Sequence, residues 1–284
     1  CIRDRYIMMG MAAYGEPIYK DRIINDFIDF DNLKFKQNLH TGIDPNYLKD
    51  TVPMPEKLEP GELNQLEHDN NMNIASSVQE VANDFIKEYI ARAIYKTGQK
   101  NLVYMGGVAL NCVTNTKLYD LCNNIWIMPN PGDAGNSLGA AVIRSASHDF
   151  NLPWPIRREK IIEWQGPFLG TNIKGDYPVD KIIKELETNK ICGVANGRAE
   201  FGPRALGNRS LLADPRGDDI KDKVNEIKKR QKFRPFAPAI LKEHLHDYFD
   251  IPTDDSPYMQ FVAKAKDKTV KNFPAIIHLS LIHI

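Results

Sequence analysis

Excess charge is the first thing this chain lacks. Lys and Arg number 37, Asp and Glu also 37, and the formal charge is +0. A general nucleic-acid binder needs a basic surplus to displace phosphate counterions, so the balance argues against that class. No apolar run approaches the roughly 18 residues a membrane helix needs. Cysteine is scarce, at Cys1, Cys112, Cys122 and Cys192, with no C-x-x-C pair. That excludes a zinc ribbon or a dithiol redox centre by motif and reads as a protein of the reducing cytoplasm. The histidines form no H-x-x-x-H or H-E-x-x-H pair, and His244 and His246, two apart, do not share a helix face. Internal repeats and low-complexity blocks are absent.

What remains is a globular composition, 42% hydrophobic over 284 residues, long enough for one large domain or two ordinary ones. Residues 18–72 are polar, weakly periodic and punctuated by Pro45, Pro53, Pro55 and Pro60, which predicts irregular structure with short elements. From about Ile74 to Thr97 the spacing predicts a helix. Val78, Val81, Ala82, Phe85, Ile86, Tyr89, Ile90, Ala93 and Ile94 make one apolar stripe, and Gly98 is a stop. Short apolar runs at 101–105 and 125–128 predict strands, each followed by a glycine-bearing loop and a helix, at about 110–121 and 136–146. This alternation is the mark of α/β layering. A second unit opens with a helix at about 179–188 and a strand at 191–195, and a further helix is expected at about 218–231.

Three constellations invite chemistry. Gly106-Gly107 lies between a strand and a helix, where backbone N–H groups can cradle a phosphate, although a tight turn uses the same residues. Asp133, in Pro131-Gly132-Asp133-Ala134-Gly135, is placed either to bind a cation or to cap the next helix. The stretch 198–234 holds eleven cations against six acids, and its first arginines alternate with Gly, Pro, Phe and Leu. Such surroundings suit partly buried guanidinium forks for phosphate or carboxylate oxygens. The alternative is a set of structural Arg–Asp pairs with Asp214 as one partner. Lys228-Lys229-Arg230 also reads as the solvated face of a helix whose other side carries Ile220, Val224 and Ile227.

Arg198-x-Glu200-Phe201-Gly202-Pro203-Arg204-Ala205-Leu206-Gly207-Asn208-Arg209-Ser210, then Asp214-Pro215-Arg216, Asn225, Lys229-Arg230 and Phe233-Arg234-Pro235-Phe236-Ala237-Pro238 closely resemble the C-terminal domain of the O-carbamoyltransferases. These are the nodulation-factor, cephamycin and tobramycin carbamoyltransferases. Upstream, Met9 to Gly15, Gly106 to Asn111, and Asp133-Ala134-Gly135 with Gly139-Ala140-Ala141 resemble that family's N-terminal domain of the ASKHA (actin-like ATPase) type.

The resemblance implies an α/β protein in two parts. Residues 1–150 would be the C-terminal half of an ASKHA-type carbamoyl-transfer domain and 151–165 a linker. Residues 166–284 would be a truncated α/β domain similar to threonylcarbamoyl-AMP synthases. It implies formation of carbamoyl adenylate from ATP and carbamoyl phosphate, then transfer to a hydroxyl of a sugar, antibiotic or other acceptor beside a divalent metal, iron or magnesium. Arg198, Arg204, Arg209, Lys229, Arg230 and Arg234 become phosphate binders, with Ser210 and Asn225 as polar support. Gly106, Gly107 and Asn111 become adenylate contacts and Asp133 a metal ligand. Neither a membrane nor a nucleic acid is expected as partner, and the oligomeric state is not legible.

The chain also departs from the family. Its paired-histidine metal motif has no counterpart, Ala13 stands where the family has Pro, and Leu279–Ile284 breaks from the family's C-terminal pattern. These departures, with an opening Cys rather than Met, suggest an internal piece with an incomplete metal site. A sugar-kinase-like ASKHA phosphotransferase is the rival enzyme, but it has no Arg-rich second domain. An RNA-binding relative of tRNA-modifying proteins is the rival binder, disfavoured by neutral charge and few aromatics in the basic stretch.

Overall fold

The computed structural model describes residues 2–37, 44, 47–48, 62–146, 164, 166–278 and 282–283. The expected linker, 151–165, lies outside these residues apart from Trp164, and so does most of the C-terminal hexapeptide. Helix α1 (Ile2–Met11) runs through a 3-10 turn at Ala12–Tyr14 to α2 (Lys20–Phe27) and the hairpin of β1 (Ile28–Asp29) with β2 (Lys34–Phe35). The long helix α3 (Glu62–Thr97) leads to β3 (Asn101–Val103), α4 (Cys112–Lys117), β4 (Asn124–Trp126) and α5 (Asn136–Ala146).

The C-terminal part has β5 (Asn172–Ile173), α6 (Val179–Asn189), β6 (Ile191–Ala195), β7 (Gly197–Arg198), β8 (Arg209–Ala213) and α7 (Ile220–Ile227). It closes with α8 (Leu245–Tyr248), β9 (Phe249–Asp250), β10 (Val262–Ala265), α9 (Asp267–Asn272) and β11 (Ile282–His283). Strands β3 and β4 pair in parallel, with α4 in the crossover. β5–β7, β6–β8 and β9–β10–β11 are antiparallel. The architecture is a mixed α/β one. Among the described residues no helix is long and apolar enough to cross a membrane.

Two departures from expectation have local causes. Helix α3 begins at Glu62, not near Ile74, whereas α2 and the β1–β2 hairpin are short elements of the kind expected in that stretch. The extra turns of α3 carry Asn in place of an apolar stripe, and together with Ser77 in the next turn they hold the segment from Glu16 to Tyr19. Asn73 Oδ1 accepts the Glu16 N–H at 2.8 Å, Ser77 Oγ accepts the Tyr19 N–H at 3.0 Å, and the Tyr19 hydroxyl bonds Asn70. Gly15 is pressed on this helix so closely that a Cβ would stand 2.1 Å from the Met72 carbonyl. The helix expected over 110–121 shrinks to α4 between 3-10 turns at Gly107–Leu110 and Leu118–Asp120. Asn111 starts it late, with its side chain accepting the Thr114 N–H at 3.2 Å.

The expected stripe on α3 divides between two cores. Val78, Val81 and Phe85 meet Tyr19, Ile23, Phe27 and Ile28, whereas Ile86, Ile90 and Ile94 meet Leu118, Cys122, Leu102 and Ile125. Tyr89 faces solvent. A further cluster, Ala109, Ile127 and Phe261, joins the two halves of the chain. At the same seam the buried Gln260 amide donates to the carbonyls of Ile127 and Met128, each at 2.9 Å, and Thr116 bonds Val262 on β10. Such burial of mutually satisfied polar groups fixes one relative placement.

Candidate active site

The loop 200–209 is shaped by one carboxylate. Glu200 Oε1 accepts the N–H groups of Leu206 at 2.8 Å, Asn208 at 2.9 Å and Arg209 at 3.2 Å. Burial pushes the Glu200 pKa upward, but these backbone donors outweigh it and hold the group below its ordinary value. Arg209 is turned to backbone. Its Nη1 donates to the carbonyls of Asn196 at 2.9 Å and Asn208 at 2.7 Å, and its Nη2 to those of Thr171 at 2.9 Å and Gly197 at 3.3 Å. Exposed Arg198 reaches the Gly170 carbonyl at 3.4 Å. Both therefore hold the loop's frame.

Arg216 settles the alternative of structural pairs for one position. Its Nε and Nη2 fork the two oxygens of buried Asp214 at 2.8 and 2.7 Å, with Lys190 at 3.2 Å. The Arg216 bonds hold the Asp214 carboxyl far below the usual range against the opposing effect of burial.

A cleft of about 660 Å³ opens between this loop and the segments 235–242 and 255–259. Arg204, Ser210, Lys228 and Arg230 are in its wall, with Leu206 and Phe236. Ser210 Oγ accepts the Gly207 N–H at 2.9 Å. The expected helix at 218–231 ends instead at Ile227, because Lys229 takes the left-handed conformation (φ 50). The chain then turns Arg230 into the cleft, its guanidinium 4.5 Å from the Phe236 ring centroid. Burial, and then the neighbouring Arg234, push the Arg230 pKa down to about 10. Burial, and then Arg230, lower that of Lys228. Neither Lys228 nor Arg230 makes an ion pair among the described residues, and the cleft's acid, Asp255, bonds Lys242 at 3.0 Å. Lys229 and Arg230 also line an adjoining depression of about 560 Å³.

The N-terminal residues gather at the ends of β3 and β4, the edge where parallel strands of α/β sheets present ligand-binding loops. The Gly106 N–H donates to the Pro131 carbonyl at 2.8 Å, and a Cβ on Gly132 would lie 3.9 Å from Gly107 Cα. Asn111 is tied to Gln79 on α3 by an amide pair at 3.0 Å, part of a polar cluster with Asn83 and Thr114. Asp133 is exposed at the start of a 3-10 turn and makes no capping bond among the described residues. Among the described residues no group of three His, Cys, Asp or Glu could hold a metal ion, so the residues described do not by themselves fit a metal. Gly202 rests on the Pro129 carbonyl, which places the arginine loop against the segment leading to Asp133.

Glu200 and Phe236 stand in the sequence motifs without a role of their own, Lys228 reads as part of a solvated helix face although it lines the cleft, and Gln260 goes unmarked. Glu200 stands in plain view ahead of a Gly-Pro turn, the signal of a carboxylate that gathers loop N–H groups. Gln260 has no such local signal.

A family model described as Carbamoyltransferase N-terminus matches residues 2–142, and one described as Carbamoyltransferase C-terminus matches residues 183–281. The chain belongs to the carbamoyltransferase family. Relatives by sequence include Nodulation protein NolO of Bradyrhizobium diazoefficiens, 32% identical over 97% of this chain and 52% of that protein. Nodulation protein NolNO of Sinorhizobium fredii is 32% identical over 97% of this chain and 42% of its own length. Nodulation protein U of Rhizobium tropici is 36% identical over 64% of this chain and 32% of its own. The chain spans about half the length of the curated relatives it matches. The candidate cleft lies within the stretch matched by the C-terminal model, and Gly106, Gly107 and Asp133 lie within that matched by the N-terminal one.

Proposed function

We propose that this chain is the part of an O-carbamoyltransferase that binds the phosphates of ATP and carbamoyl phosphate, supports formation of carbamoyl adenylate, and passes the carbamoyl group to a hydroxyl of a sugar, antibiotic or other natural product. The observation that carries this reading is the cleft in which Lys228 and Arg230, with no acidic partner among the described residues, share a wall with Arg204 and Ser210. Two polyanions brought into one site repel each other, and fixed positive charge offsets that repulsion most where the bond at phosphorus is changing. Arg230 offers its terminal nitrogens as a fork, and Ser210, whose oxygen already accepts a backbone proton, has its hydroxyl proton to donate. Lys229 supplies a further cation to the adjoining depression, and Arg234 adds to the local field. Arg198 and Arg209 act by holding the loop's shape.

In this reading residues 1–150 form an ASKHA-type transfer domain, 151–165 a linker and 166–284 a domain similar to threonylcarbamoyl-AMP synthases. The separate matches to 2–142 and 183–281 support such a division. A Cβ on Gly106 would meet nothing within 4 Å, which leaves room for a ligand at the strand ends, and Gly107 and Asn111 follow it in the same loop. Asp133 offers one carboxylate there, and no step is assigned to a metal.

The test is to incubate the protein with ATP and carbamoyl phosphate and follow nucleotide products by mass spectrometry. Carbamoyl adenylate is the expected outcome, with pyrophosphate released from ATP and inorganic phosphate released from carbamoyl phosphate with the uptake of one water. ADP as the sole nucleotide product would instead identify a phosphotransferase.

A further inference from the structure

We propose that Asn225 is a positioning residue that aims the Arg230 guanidinium into the cleft, and is not itself a ligand for the bound anion. The proposal rests on the reading of the cleft as a phosphate site and names what gives that site its geometry. Asn225 is 0% exposed. Its Nδ2 donates to the carbonyls of Lys232 at 3.1 Å and Arg234 at 3.0 Å, so both amide protons are committed within the protein. Its Oδ1 accepts the Arg230 Nε–H at 2.7 Å, and its backbone carbonyl accepts the Arg230 N–H at 3.0 Å. A buried side chain with these bonds already made has nothing to extend to a ligand.

What Asn225 does instead follows from its partners. The two carbonyls it holds belong to the turn just after Arg230, so the amide fixes the path of residues 230–234. The Oδ1 bond fixes the guanidinium's near edge, and Phe236 covers one face at 4.5 Å. Held at Nε and on one face, the guanidinium keeps Nη1 and Nη2 for an anion. Pre-orientation of this kind spares the entropy of ordering a long side chain upon binding. It also resists the repulsion from Lys228 and Arg234 that would otherwise push Arg230 toward solvent. A lysine at 230 keeps the charge but has neither the Nε donor at that place nor a planar face for Phe236.

The experiment is calorimetric titration with inorganic pyrophosphate. The protein is compared with Arg230→Ala, Arg230→Lys, Asn225→Ala and the Asn225→Ala/Arg230→Ala double variant, each checked by thermal melting. Arg230→Ala should weaken pyrophosphate by roughly 10-fold or more, as for loss of a charge-assisted bidentate contact. Arg230→Lys, which leaves Asn225 untouched, should weaken it nearly as much. Asn225→Ala should weaken it too, but should add less than about 2-fold in the Arg230→Ala background. Added guanidinium ion should restore binding to Arg230→Ala and fail to restore it to the double variant, a readout that a purely structural role would not move. Full affinity in Arg230→Lys, or an Asn225→Ala effect undiminished in the double variant, would overturn the positioning role while the phosphate site stands. An Arg230→Ala protein with unchanged affinity would overturn the phosphate reading and this role together.

Discussion

A Cβ built on Gly202 would stand 3.1 Å from the Pro129 carbonyl oxygen, and Gly202 itself has φ 151. The arginine loop and the segment leading to Asp133 thus meet backbone to backbone. Gly202→Ala must both enter an unfavourable backbone region and displace Pro129. The expected cost is about 1–3 kcal/mol of stability. Pyrophosphate affinity should fall with it, because the same loop carries Arg204. Denaturant unfolding measures the first effect and titration the second.

Asp214→Asn is expected to act on stability alone. Asp214 is 5% exposed and carries both Arg216 and Lys190. Its removal should cost about 2 kcal/mol, less than a fully buried pair because both cations reach solvent. The sign with pH follows from the depressed pKa. The unfolded chain binds a proton near pH 4 while the folded one resists it, so the contribution is whole above that pH and declines as the pH falls further. Urea melts at pH 7 and pH 3 should therefore show a gap between the two proteins that is full at neutral pH and narrower, but not closed, at pH 3, because the folded carboxyl is held far below its ordinary value.

His278 gives the opposite type of group and the same direction. Burial, then Lys221, push its pKa down to about 4, although a bond involving the Phe233 backbone opposes them. Its ring meets Tyr14 edge-on at 5.2 Å. An unfolded histidine titrates near 6.5, so the stability contributed by keeping His278 neutral is full above that pH and is lost between about 6.5 and 4. Imidazole resonances followed by NMR should show His278 still neutral at pH 5.5. A midpoint near 6.5 would contradict its placement.

Much of this arrangement was legible in the residues, and its limits are physical. The parallel unit was readable because β3, β4 and α5 carry apolar runs bounded by glycine loops. The start of α3 was hidden because Asn73 accepts a backbone N–H and Asn70 a tyrosine hydroxyl from another part of the chain, and apolar periodicity does not report such contacts. The arginine stretch stood out by composition. Composition could not separate Arg216 on Asp214, or Arg209 on four carbonyls, from Arg230 in a cleft. That sorting depends on which acceptors the fold brings near each guanidinium. Asn225 drew notice for the right neighbourhood, and its bonds place it behind Arg230.

The central claim is that Lys228 and Arg230 make the cleft a phosphate site, and titration with ATP tests it most directly. The protein is compared with the Lys228→Ala/Arg230→Ala double variant, and with Arg216→Ala as a control whose fork belongs to Asp214. The account predicts saturable ATP binding that weakens by roughly 10-fold or more in the double variant and stays near the original value in Arg216→Ala. Equal affinity in the double variant and the parent protein would contradict it.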